Sequence, residues 1–139
     1  MASHAGAPTL YRLLGIGLVT LAAAFGGLTY AGVAPLLERD EGSRVIAYVM
    51  AGISLAVCAI ALVFVKPRVP ERRAGQPVEQ YWSARDVTEK ILLVWFLLEG
   101  AAIQAAIGFL LTGELATLIV AGAATVAFWL CGPRAFAEA

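Results

Sequence analysis

Charged residues are scarce in this sequence: Asp, Glu, Lys and Arg make up 14% of 139 residues, and ten basic side chains offset ten acidic ones. With a formal net charge of zero there is no global field to gather nucleic acid or an anionic substrate, and nucleic-acid binding is excluded on that ground. Histidine occurs once, as His4 near the start, which rules out a bis-histidine haem and the familiar histidine-containing zinc sites. The two cysteines, Cys58 and Cys131, stand far apart inside apolar runs, so neither a C-x-x-C redox pair nor a thiolate metal cluster can be written. Both read as small buried thiols. No cofactor and no metal are expected.

What fills the chain instead is hydrocarbon. Apolar residues account for 60% of it, and the mean hydropathy is +0.82, beyond the range of a water-soluble domain. The expectation is a single membrane domain over 1–139, an all-α integral membrane four-helix bundle. Arg12 followed by Leu13 to Ala24, with Ala22-x-Ala24, has the make-up of a secretory signal peptide, but the run is read as retained and as the first membrane helix. That helix is expected over about 10–37, a length that spans roughly 30 Å of hydrocarbon. Ser43 is a candidate N-cap for a second helix over 44–65, which stops at Lys66-Pro67. The stretch 66–82, with Pro67, Pro70, Pro77, Gly75 and a cluster of charges, has loop composition. Ser83-Ala84-Arg85-Asp86 reads as a capping box opening a third helix over 83–111, whose first two turns are polar. Thr112-Gly113-Glu114 then turns into a fourth over 115–131, near the lower length limit for a span.

With four spans, Arg12, Lys66, Arg68, Arg72, Arg73, Arg85, Lys90 and Arg134 share one side, against Arg39 and Arg44 on the other. Basic residues in short loops stay cytoplasmic, so the expected topology is N-in/C-in with the loop between helices two and three inside, in the bacterial inner (cytoplasmic) membrane. Tyr11, Tyr81, Trp82 and Trp129 would form an aromatic belt at the cytoplasmic interface and Tyr48 would mark the outer one.

Glu99 is the residue with most chemical content. The run Ile91 to Leu111 is otherwise uncharged, and an ionised acid at mid-membrane costs on the order of 2.5 to 3.5 kcal/mol. The carboxyl must be neutral, paired or facing water. It is either an ion or proton site, or a packing group hydrogen-bonded to a neighbouring helix through Ser54 or Thr125. Gly100, Gln104 and Gly108 recur every four residues beside it, flanked by Ala101 and Ala105, and Gln104 adds an amide within reach of a partner helix, which makes Glu99 and Gln104 together the candidate ion or proton site. Such small-residue faces let helices approach closely in lipid, as would Ala23, Gly27 and Ala31 on helix one. Gly27, Gly100 and Gly108 are therefore candidate packing glycines.

The alternation Gly52-x-Ser54-x-Ala56-x-Cys58, the loop Gly75-Gln76-Pro77 and the segment Leu97-Leu98-Glu99-Gly100-Ala101-Ala102-Ile103 together resemble the hairpin of the proteolipid c subunit of rotary ATP synthases. That resemblance covers about half the chain and implies that Glu99 is an ion-carrying carboxyl. The acid in Leu98-Glu99-Gly100 and the ending Pro133-Arg134 are also similar to a group of bacterial four-helix membrane proteins without an assigned activity. Small multidrug-resistance transporters likewise pack four helices around an intramembrane glutamate, but in helix one.

Two functions are consistent with these features. One is a non-catalytic subunit or accessory protein of a larger membrane complex, conceivably bioenergetic, whose partners are other integral membrane subunits, further copies of itself and lipid. The other is a proton- or cation-coupled translocator using Glu99. An enzyme is not expected, because no histidine lies in the spans and Glu71 and Glu79 read as solvated loop acids.

Overall fold

The computed structural model describes residues 6–138, so His4 lies outside it. All regular structure in that range is helical: α1 (Gly6–Tyr30), α2 (Glu41–Ala59), α3 (Val78–Ser83), α4 (Arg85–Thr112), α5 (Leu115–Leu130) and α6 (Pro133–Ala137). Beyond Ala59, α2 continues as a widened π turn over Ile60–Val65 and a tight 3-10 turn over Lys66–Arg68. Lys66 N–H reaches five residues back to Ala61 C=O, and Pro67, which has no N–H to give, falls in the tight turn. Three helices are long and apolar enough to cross a membrane: Gly6–Tyr30, Glu41–Arg68 and Arg85–Thr112. At 1.5 Å per residue, the 16 residues of α5 reach only about 24 Å.

The longest helix, α4, is the centre of the structure. It packs along both α2 and α5, and α1 leans on it from the remaining side. The face that α2 contributes is made of small residues, with Ala47, Ser54 and Ala61 fully buried and Ala51 nearly so. Ala51 meets Ala105 of α4 and Val120 and Ala121 of α5 in one cluster. Gly108 sits where the three helices converge: a methyl group there would come within 3.1 Å of Thr117 Cγ2 and 3.4 Å of Met50. Bulk is concentrated at the other end of α4, where Trp95, Leu98, Ile91 and Phe128 are fully buried.

Several boundaries differ from the sequence expectation, each for a local reason. α1 ends at Tyr30, not near Leu37, because Gly32 adopts φ +75° and lets Val33 N–H turn back to Leu28 C=O at 3.0 Å. The linker then runs to the far end of α4, where Leu36 and Leu37 N–H donate to the last carbonyls of that helix, Leu110 and Leu111, at 3.1 and 2.8 Å. α2 begins earlier than Ser43. Asp40 is its N-cap, accepting from Ser43 N–H at 2.8 Å while Ser43 Oγ accepts from Asp40 N–H at 3.1 Å, a reciprocal box with serine in the third position.

Ser83 does not open the third long helix. It closes α3 and donates to Gln80 C=O, while Ala84, in extended conformation, leads into α4 without a side-chain cap. Burial of Tyr81 and Trp82 explains the break, since it pulls α3 onto the bundle and forces the chain to bend before α4 starts. Tyr81 donates to Pro70 C=O at 2.8 Å, which closes the polar segment over the bundle end. Desolvation, with Glu71 nearby, pushes its phenol up, so it stays a neutral donor.

The turn between α4 and α5 is the tightest point. Gly113 adopts φ +67°, and a Cβ there would lie 2.8 Å from Arg39 Nη2 and 3.3 Å from Pro35 Cγ. Gly32 has a similar φ but open space around it. Gly113→Ala should therefore lower the thermal midpoint in detergent more than Gly32→Ala does. Both lose about 1–2 kcal/mol to the left-handed backbone, and Gly113→Ala also displaces the Arg39 guanidinium. Equal losses would show that the linker does not rest on this turn.

Candidate functional site

Glu99 lies fourteen residues after the start of α4 and thirteen before its end, about 20 Å from either. Its side chain points to the seam with α1. Gly17 stands opposite, and a Cβ on that glycine would be 3.8 Å from Glu99 Oε1. The carboxyl is half-buried and has neither a hydrogen-bond donor nor an ion-pair partner among the described residues. The Ser54 hydroxyl is buried on α2 without a partner, and Thr125 donates to Ala121 C=O within α5 at 2.8 Å. Neither meets Glu99.

Gln104 is also half-buried but lies elsewhere. Five residues of helix turn through about 140°, which puts Gln104 in the row of Gly108, on the flank of α4 towards α2, while Glu99 faces α1. The two polar groups are not brought together. Of the three candidate packing glycines, Gly108 is buried between α2 and α5, whereas a Cβ on Gly27 or Gly100 would meet no atom of another helix among the described residues within 4 Å, and both face outward.

Above Glu99 the seam opens. Ala102 and Ala106, three and seven residues further along α4, form the floor of a groove of about 730 Å³, walled by Leu21 and Phe25 of α1 and Leu118 and Gly122 of α5. Its two threonines, Thr29 and Thr125, spend their hydroxyls on carbonyls of their own helices, Phe25 and Ala121, so the walls are apolar in effect. The groove exists because α1 is held by its first half. Ala7, Tyr11, Gly15 and Leu18, spaced at four, four and three residues, are buried, and nothing beyond Leu18 in α1 is.

That hold is the part of the centre that belt reasoning from the sequence missed. Tyr11 and Trp82 are not an exposed interfacial ring but part of a buried aromatic cluster with Trp95 and Phe128. The Tyr11 ring stacks on Phe128 at 4.7 Å and lies 4.8 Å from Trp95. Its hydroxyl donates to Phe128 C=O at 3.1 Å, and Trp95 Nε1 donates to Cys131 C=O at 2.6 Å. The carbonyls at the end of α5, which no longer have intrahelical donors, are thus met by side chains of α1 and α4. The signal in the sequence was the spacing from Tyr11 to Gly15 and Leu18, with Gly15 admitting the ring of Trp129. Trp129 itself remains half-exposed, Cys58 is partly buried and Cys131 buried, both as free thiols.

Chemically, an unpartnered carboxyl at mid-span that borders an apolar groove can bind a proton, accept a hydrogen bond from another polypeptide, or face a cation. A lipophilic carbodiimide added to membranes should form an adduct on Glu99, located by peptide mapping, that is lost in Glu99→Gln. Adducts confined to the loop acids Glu71 and Glu79 would show that the carboxyl is sealed from the lipid phase.

No protein-family model matches the chain, and neither the curated proteins nor the solved structures contain a match. The likeness of α2 and α4 to a proteolipid hairpin therefore rests on its short motifs alone.

Proposed function

We propose that this chain is a non-catalytic subunit or accessory protein of a larger assembly in the bacterial cytoplasmic membrane, spanning it four times with both ends inside. The observation that carries the reading is the Glu99 carboxyl, half-exposed at mid-helix with no donor among the described residues. A buried acceptor left unpaired in hydrocarbon is costly, and a neighbouring integral membrane subunit, or a second copy, that supplies a donor removes the cost. Gly27 and Gly100, facing outward, support the same reading as small-residue contacts for other helices.

The start of α1, the segment 66–84, the start of α4 and α6 gather at one end of the bundle with Arg12, Lys66, Arg68, Arg72, Arg73, Arg85, Lys90 and Arg134, and the opposite end has Arg39 and Arg44. Such asymmetry favours the first end as cytoplasmic. The shorter α5 fits as a fourth span if it stands nearly upright and the bilayer thins locally around it.

A second reading draws on the same carboxyl: a proton- or cation-coupled translocator in which Glu99 is loaded from the groove. Native mass spectrometry after gentle extraction from a bacterial membrane separates the two. The subunit reading expects co-purification with defined larger subunits, weakened in Glu99→Gln. A lone monomer without crosslinked partners overturns it. A bare homo-oligomer whose proton flux in liposomes disappears in Glu99→Gln replaces it with the translocator.

A further inference from the structure

Two concavities meet on the outer side of α1 near its start. The first, of about 500 Å³, is bounded by Arg12 of α1, Trp129 at the end of α5, and Pro133 and Arg134 of α6. The second, of about 360 Å³, continues along α1 past Gly15, Ile16 and Val19. Tyr11, Arg12 and Trp129 line both, so the two adjoin as one channel with Arg12 at the junction, Arg134 in the first part alone, and Gly15, Ile16 and Val19 continuing the second. Among the described residues, no acidic side chain lines either part. Arg12 is exposed and has no ion-pair partner among the described residues, and Arg134 has a single long contact, 4.0 Å, to the exposed Glu138. An ion pair of that kind contributes little and leaves the guanidinium available.

The depth of this channel fits a particular ligand. Leu13, Ile16 and Leu130 around it are 60%, 62% and 72% exposed, a surface that belongs against acyl chains, whereas Arg12, about 9 Å into α1, and Arg134, in the first turn of α6, mark the level where headgroups begin. A half-exposed tryptophan at that level forms the wall between the two zones. We infer that this channel is a binding site for one anionic phospholipid, its phosphate held between Arg12 and Arg134 and one acyl chain lying along Gly15, Ile16 and Val19. Guanidinium groups suit a phosphodiester because they donate in a planar fork, and basic pockets between membrane helices on the cytoplasmic side are where such headgroups collect. The inference requires membrane insertion but holds for either functional reading.

Lipid retention measured by native mass spectrometry tests it, with the full chain in neutral detergent titrated with phosphatidylglycerol or phosphatidylcholine. Phosphatidylglycerol should be retained in preference, one molecule first, and Arg12→Gln/Arg134→Gln should weaken it by roughly 25-fold, about fivefold for each basic group. Arg68→Gln/Arg73→Gln, which removes the same charge from the same end but outside the channel, should leave it unchanged. All four side chains are exposed, and unaltered thermal midpoints would show that the variants fold. Equal retention of phosphatidylcholine, equal loss in the two double variants, or displacement of the lipid by inorganic phosphate would each overturn the site. The last result would mean that the arginines hold a small anion with no part for the acyl chain.

Discussion

The last carbonyls of a helix have no donor within it, and much of this structure follows from meeting that demand inside one short chain. At one end of the bundle, Tyr11 and Trp95 donate to the closing carbonyls of α5. At the other, the amides of Leu36 and Leu37 donate to the closing carbonyls of α4, and Arg39 reaches Gly113 C=O at 3.2 Å. These bonds set which helices touch. The first requires aromatic side chains from α1 and α4 to converge under α5, which builds the large-residue half of the core. The second draws the α1–α2 linker across the α4–α5 turn, where the left-handed backbone at φ +67° favours glycine.

Between those two ends the packing is of the opposite kind. Alanines, Ser54 and Gly108 allow α2, α4 and α5 to approach closely, as expected where dispersion rather than water exclusion holds helices together. Glu99 is on the α1-facing flank of α4, where this close packing stops. It faces Gly17, so the carboxyl has space but no donor, and the same lack of bulk on α1 opens the groove above it.

The helical, membrane-suited character of the chain was legible in its hydropathy, and Glu99 stood out because a charge is conspicuous in an apolar run. Helix ends were less legible, because they depend on partners distant in sequence. Gly32 ends α1 early, and the linker after it is ordered by carbonyls more than seventy residues away. Ser43 and Ser83 both look like N-caps, yet one is the third residue of a box set by Asp40 and the other closes a short helix that Tyr81 and Trp82 pull inward. Glu99 and Gln104 are near in sequence, but five residues of helix carry a side chain most of the way to the opposite flank. The aromatic residues near one end invited a belt because interfacial and buried aromatics have the same composition; only the hydrogen bonds of Tyr11 and Trp95 distinguish them.

The uneven anchoring of α1 has a mechanical consequence. Its first half is clamped by the aromatic cluster and its far end is tethered by the linker, but along the groove nothing supports it from within. A rod held in this way yields by bowing. A displacement of α1 would therefore change the width of the groove beside Glu99 before it disturbed α2, α4 and α5, which are in contact through alanine and glycine.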